Sequence, residues 1–193
     1  MMATLALAVV AGLAGCKVDT VHPISAAGVT PPDRSIYGAW QYREKGELTY
    51  VHIGPEFSLA AAGTAPPADQ RTRIVIVDHK PNGLTGEAYV AHGSRLGQAR
   101  YLNVLQVEDG KPAGYILVRY ALAGRDTLRF STVSEDALKA AIGAGRIAGS
   151  VRGAGLSSET AMTAGSAEIE AFLRAEGDRM FGKPVVLRRV TAP

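Results

Sequence analysis

Four histidines are the side chains of this sequence best suited to acid–base or metal chemistry: His22, His52, His79 and His92. No two of them have the H-x-H or H-x-x-x-H spacing that brings paired imidazoles to one metal ion. No G-x-S-x-G or Ser-x-x-Lys motif marks a serine nucleophile. The string "GAGRIA", residues 143–148, matches a dinucleotide fingerprint but follows a predicted helix instead of a strand. We therefore predict no catalytic residue, metal or cofactor; a hydrolase site assembled only by the fold is the alternative.

The single cysteine, Cys16, ends an apolar run of Ala, Leu and Val residues. This run has the length of a signal-peptide core and is too short to cross a hydrocarbon layer, which takes about 20 residues. The residues Leu13-Ala14-Gly15-Cys16 resemble a bacterial lipobox, in which small residues admit the peptidase and the thiol receives diacylglycerol. The resemblance implies that residues 1–15 are a signal peptide and that Cys16 becomes an acylated N-terminus.

The lipobox resemblance also implies a partner and a location. The partner is membrane lipid, because several acyl chains on Cys16 anchor a protein stably where a single chain does not. Lys17 follows the cysteine, and a residue other than Asp at that position implies transfer to the outer membrane, facing the periplasm. The first four residues contain no Lys or Arg, although signal peptides usually begin with one. A different true start of the chain therefore stays open, as does an ordinary apolar role for Cys16.

Composition indicates one globular domain behind this N-terminus. The chain has 193 residues, of which 47% are hydrophobic, and this is enough to bury a core. Its 21 Lys and Arg residues exceed its 18 Asp and Glu residues by three, and they are spread along the chain. Because a phosphate-binding surface needs clustered basic residues, nucleic acid is not expected as a partner.

The segment after the cysteine has the composition of a linker. "KVDTVHPISAAGVTPPD", residues 17–33, contains small residues and three prolines and has no hydrophobic period. A flexible coil of this length would hold a domain about 20 to 25 Å from the lipid. We accordingly divide the chain into a signal peptide at 1–15, a lipidated N-terminus and flexible tether at 16–33, and a β-barrel-like domain at 34–193.

The domain itself begins with seven β-like runs of about seven to ten residues. They are "IYGAWQY", "LTYVHIG", "TRIVIVD", "GEAYVAH", "ARYLNVLQVE", "GYILVRYAL" and "DTLRFSTV". Turn residues such as Pro81-Asn82-Gly83 and Asp109-Gly110 separate the runs and favour tight hairpins. A meander of this length tends to close into a barrel, which removes its edges. The long interruption "PEFSLAAAGTAPPADQR" is expected to be a surface loop over one barrel mouth.

The hydrophobic period then changes from two to that of a helix. Ser134 is a candidate N-cap of a helix that Gly143 ends, and Ser166 opens a second helix. Pro184 starts a final strand, "PVVLRRV", that can pair back onto the sheet. The predicted fold class is α+β, mainly antiparallel β: a meander or barrel of about eight strands with two short helices near the C-terminus.

Several of these pieces resemble a family of uncharacterised bacterial lipoproteins. The shared features are the lipobox, a "GxW" opening strand at 38–40, a "DTLRF" strand that leads to a helix at 126–130, and the stretches at 162–173 and 181–189. The resemblance covers most of residues 36–190. That family has no established activity, so the resemblance implies no catalytic residue.

A second resemblance is to the lipocalins, in which a Gly-x-Trp sequence opens the first strand and the Trp packs on a basic residue. Gly38-Ala39-Trp40 matches this opening, and Arg119 or Arg129 is the candidate basic partner. The resemblance implies an eight-stranded barrel that carries a small hydrophobic molecule.

Aromatic residues on the strands leave two interpretations open. If Trp40, Tyr101 and Tyr120 point inward, they are candidates for contact with an apolar ligand. If the same rings fill the barrel, they are core residues, since eight strands leave room only for side chains or one small ligand. We expect a non-catalytic, membrane-anchored envelope lipoprotein with a binding or structural domain. Its partner would be a small hydrophobic ligand in the carrier alternative and an envelope protein in the docking alternative.

Overall fold

The computed structural model describes residues 18–44, 46–56, 71–81, 83–152 and 159–191. The lipobox residues Leu13, Ala14, Gly15 and Cys16, the signal peptide at 1–15 and most of the expected loop at 55–71 lie outside these ranges. Within them, the structure has no helix whose length and hydropathy would suit a membrane span.

The described residues form a mainly antiparallel β-structure. In chain order its strands are Val18–Thr20 (β1), Gly38–Glu44 (β2), Glu47–Pro55 (β3), Thr72–Lys80 (β4), Gly83–Leu96 (β5), Ala99–Glu108 (β6), Lys111–Ala123 (β7), Thr127–Thr132 (β8), Gly149–Arg152 (β9), Glu159–Met162 (β10) and Val185–Arg189 (β11). Strands β2 to β8 pair in sequence, and β11 closes the ring by pairing with both β8 and β2. The predicted fold class, an eight-stranded barrel with two short helices near the C-terminus, is confirmed.

The barrel has two different ends. At the "Trp40 end", β2 begins and β11 finishes, and the chain enters through a short 3-10 helix, Arg34–Ile36. At the "hairpin end", short turns join β2 to β3, β4 to β5 and β6 to β7. The last of these turns has positive φ at both Asp109 (51°) and Gly110 (75°), as a tight hairpin requires and as the Asp-Gly pair predicts.

Packed side chains fill the barrel interior. Every barrel strand contributes at least one of them, and the 3-10 helix adds Ile36: the cluster is Ile36, Trp40, Val51, Ile53, Ile74, Ile76, Ala91, Leu102, Val104, Ile116, Val118, Tyr120, Leu128 and Leu187. None of these residues is more than 8% exposed. A lumen wide enough for water would leave accessible surface on the residues that line it, so these side chains pack against each other.

A second core lies outside the barrel wall, under the two helices. Helix α1, Glu135–Gly143, is capped by Ser134, whose Oγ accepts a hydrogen bond from the backbone N–H of Ala137 at 3.4 Å. Helix α2 is Ser166–Glu176. Both helices bury their apolar stripes against outward-facing residues of the barrel, among them Leu117. The predicted cap and helix starts are therefore confirmed.

Residues 18–33 belong to the folded domain, which corrects the expected flexible tether. Strand β1 pairs in parallel with β10 and forms an antiparallel bridge with β7 at Tyr115. The following "strap", residues 21–33, crosses the outer wall of the barrel, where Ile24 is 1% exposed. The backbone N–H of Ile24 donates to the Asn103 side chain at 2.8 Å. This segment is held by individual polar contacts to the barrel wall. Such contacts need no regular hydrophobic pattern, so the sequence of the segment looks like that of a linker.

Candidate functional site

The Trp40 end of the barrel is sealed. Trp40 is fully buried, and its Nε1 donates a hydrogen bond to the backbone carbonyl of Ile36 at 2.8 Å. The side chain of Ile36, the last residue of the 3-10 helix, is 1% exposed and packs in the interior beside Trp40. The helix therefore closes this end as a plug, and the indole holds the plug in place.

Arg189 of β11 completes the seal from outside. Its guanidinium carbon lies 4.1 Å from the centroid of the Trp40 ring, within the range of a cation–π contact. The same group donates hydrogen bonds to the carbonyl oxygens of Tyr37 at 2.7 Å, Arg125 at 2.8 Å and Ser35 at 2.9 Å. One side chain thus joins the last strand, the plug and the β7–β8 turn.

The expectation that Arg119 or Arg129 is the basic partner of Trp40 is wrong. Arg119 forms an ion pair with Asp178 at 2.6 Å, and Arg129 is exposed on β8. Arg189 takes the role because β11 pairs with β2 in a register that sets Arg189 opposite Trp40. Sequence spacing gives no sign of this register, since 148 residues separate the two positions.

Asp33 connects the strap to the same end of the barrel. Its carboxylate accepts hydrogen bonds from Ser35 N at 3.1 Å, Ser35 Oγ at 2.5 Å, Arg100 Nη1 at 2.7 Å and Tyr120 OH at 3.2 Å. Partial burial opposes ionisation, but the bonds from Ser35, the charge of Arg100 and the Tyr120 hydroxyl outweigh it and lower the pKa of Asp33. Burial first, and then the Asp33 carboxylate, raise the pKa of Tyr120.

The three ring residues expected as ligand contacts have different positions. Trp40 and Tyr120 point into the barrel, where they are part of its packed interior. Tyr101 points outward into the second core and packs on Phe181 with 5.7 Å between ring centroids. Tyr101 therefore lies outside any lumen, and alternation along β6 explains this because its neighbour Leu102 takes the inward position.

The hairpin end is more open and more polar. Tyr42, Tyr89 and Phe130 are only partly buried against the interior cluster there. The hydroxyl of Tyr42 donates to Glu44, and burial followed by this carboxylate raises the pKa of Tyr42 to about 12. The hydroxyl of Tyr89 donates in the same way to Glu87. Each ring is fixed at the mouth by a carboxylate two residues away on its own strand.

A cleft opens in the barrel wall where β5 and β6 separate. The two strands pair only from Val90 and Leu105 toward the Trp40 end. Residues 83–89 pair with β4, and among the described strands none pairs with their other edge. The resulting cleft has a volume of about 260 Å³ and is lined by residues that include Tyr89, Leu105 and Val107. The alternation pattern in the sequence does not predict this cleft, because the cleft depends on the position at which pairing between β5 and β6 stops.

A buried polar network attaches the strap to outward-facing side chains of β5 and β6. The side chain of Asn103, which is fully buried, donates to Ser94 Oγ at 2.8 Å and to the His92 carbonyl at 3.2 Å. Ser94 Oγ lies 2.6 Å from Ser25 Oγ, and His92 Nε2 donates to the Ser25 carbonyl at 2.7 Å. Burial first, and then the charge of Arg71, lower the pKa of His92 against the opposing effect of its hydrogen bond.

The other histidines lie apart from one another. His52 and His22 are exposed, and the ring of His79 makes an edge contact with Tyr50 at 5.4 Å. In the described ranges no three His, Cys, Asp or Glu side chains are grouped closely enough to hold a metal ion.

No family model, curated protein or solved structure matched the chain.

Proposed function

We propose that this protein is a lipid-anchored lipoprotein of the bacterial envelope whose barrel docks another envelope protein and has no catalytic role. Cys16 and the residues before it carry the anchor in this proposal, and Lys17 favours the outer membrane. The stacking of Arg189 on Trp40 supports the resemblance to lipocalin barrels at the level of architecture. The docking part of the proposal rests on the described domain.

The observation that carries the docking role is the packed interior. The fourteen side chains of the interior cluster are 8% exposed or less, and the 3-10 helix plugs one end. A carrier for a lipid-sized molecule needs a pocket of about 300 to 1,000 Å³ that buries most of its ligand. The described interior offers side-chain contacts in place of such a pocket, so binding is expected on the outside of the barrel.

We place the partner in the cleft between β5 and β6. A strand edge with unpaired N–H and C=O groups is a template for an added strand, and among the described strands none pairs with this edge of residues 83–89. Val107, which lines the cleft, is 58% exposed, and Leu84, at the start of the same segment of β5, is 66% exposed; both supply apolar contact. The small residues Gly86 and Ala88 on the same strand leave room for the side chains of the incoming segment. The partner that fits is an extended, partly apolar segment of a second protein.

The test compares the chain extracted from membranes with two variants. We expect the wild type to elute with a partner in size-exclusion chromatography with light scattering, and Leu84→Lys to elute at the mass of one chain. Val186→Lys is the matched control, because Val186 is exposed (38%) on β11, away from the cleft. A wild-type chain that elutes alone, or a complex that survives Leu84→Lys, would overturn docking at this cleft.

A carrier role is the second candidate, and the partly buried rings at the hairpin end favour it. Tyr42, Tyr89 and Phe130 form an aromatic rim there that a small hydrophobic ligand could contact. Native mass spectrometry separates the two candidates: an adduct of the periplasmic chain that is lost on denaturation supports the carrier, and the bare polypeptide mass supports docking. The expressed chain must begin at Val18 or earlier, because β1 is part of the fold.

A further inference from the structure

The path of the chain into the domain limits how far the domain can lie from its anchor. Strand β1 is fixed by pairing with β10, where Val18 lies opposite Thr160 and Thr20 opposite Met162. Only Lys17 separates Val18 from Cys16. Since consecutive Cα atoms are 3.80 Å apart, the Cα of Cys16 lies within about 8 Å of the Cα of Val18. The tether length that the composition suggests is therefore not available to the domain.

Strand β9 is the edge strand of the sheet and is separated from β1 only by β10. Its residue Val151 is opposite Thr160, which is in turn opposite Val18, so these three residues form one row across the strands. Two strand spacings place Val151 about 10 Å from Val18. Val151 is 46% exposed, and its neighbour Arg152 is exposed with Glu159 as its cross-strand partner. An apolar and a cationic side chain thus lie beside the point where the chain enters the domain.

We propose that this edge, formed by Val151 and Arg152 of β9, rests on the headgroups of the membrane that holds the lipid on Cys16. The inference rests on the anchor in the proposed function and adds the orientation of the domain. A bilayer surface fits because the anchor brings it within reach, an arginine side chain binds phosphate in a bidentate way, and Val151 meets the apolar boundary below the headgroups. The short connection supplies the high local concentration that makes two such contacts sufficient.

The experiment uses the full acylated chain in vesicles of zwitterionic and anionic phospholipid that contain a headgroup nitroxide lipid. A fluorophore is attached through Val151→Cys or, as the matched exposed control at the hairpin end, through Leu84→Cys. Because acylation blocks the thiol of the single native cysteine, each variant takes one label, and two labels report a chain without the thioether. We expect the nitroxide to quench position 151 several-fold more than position 84. Adding Arg152→Glu to the Val151→Cys chain should reduce that quenching.

The outcomes separate the orientation from the anchor. A chain that carries the acyl mass but shows equal, weak quenching at both positions overturns the proposed orientation and leaves the anchor intact. A chain that carries no acyl group and takes two labels overturns both. Quenching at 151 that Arg152→Glu does not change removes the phosphate contact from the proposal.

Discussion

Truncation of Trp40 tests the seal at the Trp40 end of the barrel. The ring is fully buried, donates one hydrogen bond to Ile36 and lies under the Arg189 guanidinium. Removal of a buried Trp side chain costs about 3 to 5 kcal/mol of unfolding free energy, to be compared with a total of about 5 to 15 kcal/mol for a domain. For a domain of this size, each kcal/mol lowers Tm by about 2 to 4 °C, so Trp40→Ala should lower Tm by about 10 °C.

The assay is urea denaturation followed by far-UV circular dichroism, because the chain contains one Trp and the variant loses that fluorophore. Trp40→Phe keeps an aromatic ring beneath Arg189 but lacks the N–H, and it should cost about 1 to 2 kcal/mol. A double-mutant cycle of Trp40→Phe and Trp40→Ala with Arg189→Met measures the stacking, which we expect to be about 0.5 to 2 kcal/mol. A loss below about 1 kcal/mol for Trp40→Ala would refute the placement of the indole as the plug of the barrel.

Three further changes probe the strap and its contacts. The lowered pKa of Asp33 stabilises the fold at pH values above the carboxyl's ordinary pKa of 3.8, and this stabilisation is lost as the pH falls below 3.8; Asp33→Asn should flatten that part of the acid denaturation curve. The lowered pKa of His92 favours the neutral ring, so stability should fall as the pH drops below 6.5; His92→Gln keeps a donor to the Ser25 carbonyl and should remove this dependence in the same assay. At Gly114, φ is 151° and a Cβ would lie 2.6 Å from the Thr20 carbonyl oxygen; Gly114→Ala should cost about 1 to 3 kcal/mol and speed amide exchange in β1, and an unchanged exchange rate would contradict the docking of β1 there.

The barrel was predictable because its strands carry their own signals. Alternation of apolar residues marks β2 to β8, Asp109-Gly110 has the turn chemistry of a tight hairpin, and Ser134 has the chemistry of a cap. These features depend on neighbours within a few residues, so a sequence contains them.

The parts that were missed depend on long-range pairing. Strands β1, β9 and β10 have three or four residues each, too few to show a period, and the strap after β1 is held by a network around the buried Asn103. The stacking of Arg189 on Trp40 follows from the register of β11 against β2. Whether Tyr101 points into or out of the barrel depends on which alternate residues of β6 face the helices. A sequence of residue types fixes none of these relationships on its own.

The most direct test of the lipid anchor is the intact mass of the N-terminal peptide of the mature protein extracted from bacterial membranes. We expect a peptide that begins at Cys16 and carries diacylglyceryl and amide-linked acyl groups, and a Cys16→Ala chain that leaves the membrane fraction. A mature peptide without acyl groups, or a Cys16→Ala chain that still sediments with the membranes, would contradict the proposed lipid anchor at Cys16.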